Sequence, residues 1–310
     1  MILELPELLS RLVSPGVSRG RLSFVAVHHA KLVFLAFRDG SPDPEFVATV
    51  SGEEEVKRLH DVLTRLYQAI PKLTAESLSI GRLPDGRFIH IQAAVPGLPW
   101  SSLASSLRRN DRRRLYARAL DVLGALHTAI DAVPLWHSHV SPSDELRRQL
   151  DLCAHRGVNL SARAIRFAES CAEQLAELGE SVCHWQHGDY CANNLMVAGA
   201  DVRIFDFDEF GLTAVPLHDQ FALAFSVHEL AGADAWSKPI AEDVRTCVAA
   251  ALGGRPALAD HLCGLLVHHL LWSVNLGHGQ PARAGRVRAV LRHLESLAAA
   301  QDYYLPRSAG

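Results

Sequence analysis

The chain has 310 residues, 48% of them hydrophobic and 21% charged, which is enough for two packed domains with a sizeable core. Its net charge of -3 excludes the strongly basic face of a nucleic-acid binder, and no run approaches the roughly 20 apolar residues that span a bilayer. Six cysteines form no CxxC pair, and Met1 to Glu7 has no basic segment ahead of a long apolar stretch, so the expectation is a reduced, cytoplasmic protein without a signal peptide.

In chain order, Ser14-Pro15-Gly16-Val17-Ser18-Arg19-Gly20 is turn material ahead of the first strand. It suits either an ordinary turn or a nest of backbone N–H groups around phosphate. Apolar and β-branched runs at 22–29, 31–38 and 45–50 predict three strands. The spacing of Val56, Leu59, Leu63 and Leu66 then predicts a helix over 52–69. Two further strands flank Leu83-Pro84-Asp85-Gly86, a tight-turn sequence. Val95-Pro96-Gly97-Leu98-Pro99 cannot continue a strand or a helix and marks a hinge at about 92–100. Beyond Trp100 the chain reads as mostly helical, with a core-facing stripe over 111–130 and apolar helical segments at 219–231, 239–252, 257–276 and 284–300. The expected domains are therefore residues 1–95 and 96–310.

The sharpest chemical signal is His187-Gly188-Asp189, then Asn194, then Asp206-Phe207-Asp208. The spacing H-x-D-x-x-x-x-N matches a kinase catalytic loop with glycine in place of arginine, and D-F-D stands where D-F-G would. Phosphoryl transfer through a loose transition state needs a carboxylate at the acceptor hydroxyl and oxygen ligands for magnesium, and Asp189, Asn194 and Asp206 fit those roles. Between them, Leu195-Met196-Val197 and Val202-Arg203-Ile204-Phe205 flank Ala198-Gly199-Ala200-Asp201, a hairpin pattern that would return Asp206 toward Asn194. Asp208 suits either metal assistance or capping of the next turn. His187 suits orientation of the loop by hydrogen bonding. The paired histidines at 28–29, 137/139 and 268–269 lack further ligands at a familiar zinc spacing.

On these residues the chain resembles the aminoglycoside phosphotransferase and choline kinase-like family. The resemblance implies an α+β, bilobal, protein-kinase-like fold: a small lobe of antiparallel sheet plus helix and a large, mainly helical lobe. It also implies ATP or GTP with Mg2+, Asp189 as catalytic base in the loop that His187 orients, and Asn194 and Asp206 as magnesium ligands, with Asp208 open between metal assistance and capping. Asp219 in Pro216-Leu217-His218-Asp219 would brace the catalytic segment. The backbone of Gln92, Ala94 and Val95 would line the adenine pocket. The family's strand lysine and helix glutamate have no counterpart, since Thr49 and Leu59 occupy those positions; Lys31 or Arg21 is then the expected phosphate cation.

The leading expectation is an ATP- and Mg-dependent phosphotransferase acting on a hydroxyl of a small polar molecule. The alternatives are a pseudokinase scaffold, and a kinase for serine or threonine of a ribosomal peptide that relies on a protein partner. An aminoglycoside-like polycation would call for acids such as Glu209, Glu229, Asp234, Glu242 and Asp243. A quaternary ammonium would call for a cage built from Trp136, Trp185, Trp236 and Trp272.

Overall fold

A computed structural model describes residues 22–28, 32–103, 106–230, 232–233, 235–252 and 256–304. Contacts divide the chain into two units, Met1–Trp100 with Leu195–Asp208, and Ser101–Asn194 with Glu209–Gly310. The division differs from the expected one in two respects: the first break falls after residue 100 rather than 95, and the 195–208 hairpin groups with the first unit.

The first unit is built on strands β1 (Leu22–His28), β2 (Leu32–Arg38), β3 (Pro44–Ser51), β4 (Ser77–Arg82) and β5 (Phe88–Ala93). They form one antiparallel sheet in the order β1-β2-β3-β5-β4. Alternation puts Ala36, Phe46, Ala48, Val50, Ile89 and Ile91 into one buried cluster. Helix α1 (Glu53–Ala69) buries Val56, Leu59, Val62, Leu63 and Leu66. Burial of each such side chain contributes about 1.5–3 kcal/mol. Three glutamates in its first turn favour the helix dipole, and Pro71 stops it just past Ile70.

A neutral polar chain ties α1 to the sheet: His60 Nδ1 meets Ser77 Oγ at 2.7 Å, and Ser77 Oγ meets His90 Nε2 at 2.7 Å. Burial, with a smaller contribution from His60, lowers the pKa of His90 to about 4, so its ring is uncharged at neutral pH. His90 pairs across the strands with Thr49. No lysine or arginine occurs anywhere in Pro44–Ser51. Leu59 packs among the α1 core residues.

Strands β6 (Leu98–Pro99), β9 (Leu195–Ala198) and β10 (Asp201–Ile204) make a second, three-stranded sheet in the order β10-β9-β6. The pairing of Leu98 with Val197, and the Ile204 N–H bond to the Leu73 carbonyl at 2.8 Å, are what attach this hairpin to the first unit.

The second unit carries α2 (Arg109–Asp131), strand β7 (His137–Val140), α3 (Pro142–His155), α4 (Ala162–Leu175), β8 (Ser181–His184), α5 (His218–Leu230), α6 (Lys238–Leu252), α7 (Leu262–Gly277) and α8 (Ala284–Tyr304). Ser141 and Ser161 cap α3 and α4 by accepting the Asp144 and Ala164 N–H groups. Helix α7 is buried on nearly every side and packs against α3, α4, α5 and α8, as an all-round apolar helix must. It starts at 262 rather than 257 because Pro256–Leu258 forms a separate 3-10 turn. The short β7–β8 pair was not legible as strand in a stretch read as helical. No helix among the described residues is long and apolar enough to cross a membrane.

Candidate active site

Strand β8 delivers the chain into the irregular segment 185–194, whose backbone is held from several directions. Gln186 N–H donates to the Thr213 carbonyl at 3.0 Å, and Gly211 N–H donates back to the Gln186 carbonyl at 3.0 Å. The Asp219 carboxylate, fully buried, accepts the His187 N–H at 2.8 Å and the Gly188 N–H at 3.0 Å, while its Oδ2 also meets His127 Nε2 at 2.9 Å. Burial works to raise the Asp219 pKa. The His127 hydrogen bond and the charges of His127, His187 and His218 outweigh it and hold the pKa at about 2.

Gly188 has φ +88°, and a Cβ there would meet the Glu209 carbonyl oxygen at 2.4 Å. This explains the departure from the kinase arginine, since only glycine adopts that conformation and leaves that space. His218 Nε2 meets the Gly188 carbonyl at 3.1 Å. His187 is fully buried, and its Nδ1 accepts the Asp189 N–H at 3.4 Å, so the ring organises the turn.

Asp189 emerges from this frame with its side chain 14% exposed. Asn194 Nδ2 donates to the Asp189 carbonyl at 3.0 Å and to Asp189 Oδ2 at 3.1 Å, which turns the Asn194 amide oxygen away from the carboxylate. On the other oxygen, Arg286 of α8 donates from Nη1 to Asp189 Oδ1 at 3.0 Å. Burial pushes the Asp189 carboxyl upward, but the charges of Arg286 and Arg283 and the Arg286 hydrogen bond prevail, and its pKa lies below the usual carboxylate value. Arg283 in turn donates to Glu209 Oε1 at 2.8 Å, and Arg286 Nε lies 3.9 Å from Glu229 Oε2. A small cavity of about 10 Å3 adjoins Asp189, lined by residues that include Gly188, Trp272, Ser273, Arg283 and Arg286.

Sequence reasoning missed the two arginines. Nothing local marks them: Arg283 ends the 3-10 turn before α8 and Arg286 lies in the first turn of α8, and the pair becomes a signal only once a buried carboxylate is known to need a partner.

The remaining predicted residues belong to the first unit or lie outside the described residues. Asp206 is exposed and has φ +62°, a left-handed conformation that costs energy in any non-glycine residue. Asp208 is half-buried, and its carbonyl accepts Arg58 Nη2 of α1 at 2.7 Å. Register pairs Ile204 with Leu195, so the residue before β9 and the residues after β10 leave the hairpin at one end. Gln92 pairs with Val47 in the sheet, and the Ala94 N–H donates to the Glu45 carbonyl at 2.9 Å, so the backbone group Ala94 could offer adenine is its carbonyl oxygen. Val95 follows, half-buried. Arg21 and Lys31 lie outside the described residues, as do the Ser14–Gly20 loop and Asp234.

Among the described residues, the acids and tryptophans named for a cationic acceptor each have a partner within the protein. Glu209 and Glu229 face arginines, Asp243 meets His228 at 2.8 Å, and Glu242 lies 4.0 Å from Lys238. Trp136 and Trp185 pack on Phe210, Trp236 on Phe225 and Trp272 on His218.

The sequence profile of the phosphotransferase enzyme family matches residues 35–259. No curated protein matches the chain. Among solved structures, the GDP complex of wild-type aminoglycoside 2'-phosphotransferase-IIIa is 14% identical with a TM-score of 0.64, over 96% of this chain and 99% of that one. A ternary complex of a thermostable mutant of aminoglycoside phosphotransferase APH(4)-Ia with ADP and hygromycin B is 13% identical with a TM-score of 0.63, over 99% of each chain. Aminoglycoside phosphotransferase APH(3'')-Id from Streptomyces rimosus is 20% identical with a TM-score of 0.54, over 87% of this chain and 98% of that one. The α+β fold, with antiparallel sheet in the N-terminal part and helices in the C-terminal part, is the one these proteins share.

Proposed function

The chain belongs to the phosphotransferase enzyme family, and we propose that it transfers the γ-phosphoryl group of ATP or GTP, with Mg2+, to a hydroxyl of a small polar molecule. The observation that carries this reading is the Asp189 carboxylate: kept ionised by two arginines, fixed at one oxygen by Asn194 and still partly exposed beside a cavity. A purely structural aspartate has no need of a partly open position.

In the reaction, Asp189 orients the acceptor hydroxyl and takes its proton as the new O–P bond forms. The bond from the γ-phosphorus to the β,γ-bridging oxygen breaks, and the nucleoside diphosphate leaves. Asn194 and Asp206 supply hard oxygen donors of the kind Mg2+ takes, and the amide oxygen of Asn194 points away from the base. These residues would hold Mg2+, which would supply charge neutralisation at the phosphates. Asp208, whose carbonyl accepts from Arg58, would assist that metal or cap the following turn. His187 positions the loop from its buried site. Gln92, Ala94 and Val95 on the adenine, and Lys31 or Arg21 on the phosphates, complete the proposed nucleotide contacts. The cytoplasm supplies both nucleotide and magnesium.

The test is release of ADP or GDP by the purified chain with Mg2+ across a panel of hydroxyl compounds. Asp189→Asn should lower kcat by about 10²–10⁴. Absence of any diphosphate release above that variant would refute the reading.

A further inference from the structure

The wall beside the base is cationic. Of the residues lining the cavity, Asp189 is the only acid, against the guanidinium groups of Arg283 and Arg286. His269 in the same lining is neutral, because burial and the neighbouring charges of His218 and Arg286 press its pKa well down. The two nearest additional carboxylates stand behind the arginines: Glu209 on Arg283 at 2.8 Å, Glu229 at 3.9 Å from Arg286. An ammonium group arriving at Asp189 would meet two guanidinium groups and no free acid. An oxyanion would meet the guanidinium groups of Arg283 and Arg286, with Ser273 in the same lining.

From this geometry we propose that the acceptor is an alcohol that itself carries an oxyanion, a hydroxy carboxylate or a hydroxylated phosphate monoester, with Arg283 and Arg286 as the specificity-determining residues. This deepens the phosphotransferase reading and rests on it.

Two further observations support the assignment. A cavity of about 10 Å3 has room for one water-sized group, so it suits a single carboxylate or phosphate oxygen and not a sugar ring. A guanidinium N–H bonds an anionic oxygen more strongly than a neutral hydroxyl, and it has nothing with which to accept from an ammonium. An anionic acceptor also adds negative charge to a site that gathers nucleotide phosphates and a carboxylate base. Arg283 and Arg286 offset part of that charge beside Asp189.

Glycerate, glycerol 3-phosphate and glycerol share a three-carbon skeleton and differ in charge; hygromycin B supplies the polycationic arm. Turnover of each is measured with full-length chain, ATP and Mg2+, and binding of each is measured separately by calorimetry without nucleotide. The expected result is an anionic compound favoured over glycerol and over hygromycin B by roughly 10- to 100-fold in kcat/KM, the range set by charge-assisted hydrogen bonds. In Arg283→Gln that preference should fall through a raised KM, and Arg283→Lys, which keeps charge and loses the fork, should restore part of it. If Arg283→Gln does not fold, the lysine variant and the wild-type preference decide. Preferred transfer to glycerol or hygromycin B would overturn the inference and leave the phosphotransferase reading intact. No transfer to any compound, with anion binding that weakens in the Arg283 variants, would support the anion site and refute the reaction. Neither transfer nor anion binding would overturn both.

Discussion

Replacing Asp219 should cost more than replacing any exposed acid, although Asp219 touches neither acceptor nor nucleotide in the proposed reaction. In Asp219→Ala the His187 and Gly188 N–H groups, held at 2.8 and 3.0 Å, lose their acceptor inside a fully buried site. Each stranded donor costs about 1–3 kcal/mol, so the pair amounts to about 4 kcal/mol against a total stability of about 5–15 kcal/mol. Asp219→Asn keeps the volume but turns one oxygen into a donor facing a donor, for about 2–3 kcal/mol. Titration gives an independent measure. A carboxyl held at about 2, against 3.8 in the open chain, contributes stability that is complete above pH 4 and lost as pH falls toward 2. At 1.36 kcal/mol per unit this is about 2 kcal/mol, the same order as the hydrogen-bond count. Urea unfolding followed by circular dichroism measures the stability, and kcat measured under folding conditions reports the loop. An Asp219→Ala midpoint within error of wild type, with kcat unchanged, would refute the claim that this carboxylate holds the turn that presents Asp189.

Gly188→Ala combines a left-handed backbone with a Cβ 2.4 Å from a carbonyl oxygen, so it should unfold at lower urea, by about 2 kcal/mol or more, and lose transfer activity. A stable and active Gly188→Ala would contradict that geometry. Between pH 7.5 and 5.0 the protein should lose at least about 2 kcal/mol of stability. His90 is buried with its pKa lowered from 6.5 to about 4, so the stability it contributes is complete above pH 6.5 and drains as pH falls toward 4. His218, His268 and His269 are displaced in the same direction by burial. Urea midpoints measured across that range check the slope, and a flat profile would count against neutral buried rings. Ser77→Ala breaks the chain from His60 to His90 and should cost about 1 kcal/mol without moving the pH dependence of turnover.

What the sequence made legible was whatever lies within one short stretch of chain. The hairpin after Asn194 forms where alternating apolar residues flank Gly199, and α1 lies within a residue of its expected bounds because one apolar stripe and Pro71 define it. The motif order Asp189, Asn194, Asp206 pointed to the phosphotransferase family because its spacing is fixed in the chain. The partners of Asp189 were not readable, since Arg286 lies 97 residues away and a charged residue on a helix is by default solvated. The same holds for Arg58, whose partner is a backbone carbonyl 150 residues on and so leaves no trace in residue type. The partners of the acids and tryptophans named for an acceptor were hidden for a related reason. Composition counts charges and rings, but only packing assigns Glu209 to Arg283 and Trp272 to His218.

The base and the proposed metal ligand are each prepared by their own arginine, and the two preparations should separate in kinetics. Arg286 acts on Asp189, whose pKa it helps to lower, so Arg286→Met should let burial dominate and raise that pKa. A base must be ionised to accept a proton; the acid limb of kcat/KM should therefore move to higher pH in this variant, while nucleotide affinity stays close to wild type. Arg58 acts on the carbonyl of Asp208, two residues after the left-handed Asp206. Losing a charge-assisted hydrogen bond worth about 1.5–3 kcal/mol relaxes a conformation that the chain does not favour by itself, so Arg58→Met should raise the KM for Mg-nucleotide and leave the acid limb in place. Arg58→Lys, which can still reach a carbonyl with one donor, should recover part of that KM. If instead both variants moved the acid limb equally, the ionisation of Asp189 would depend on more than Arg283 and Arg286, and the assignment of Arg286 as the group that keeps the base charged would fail.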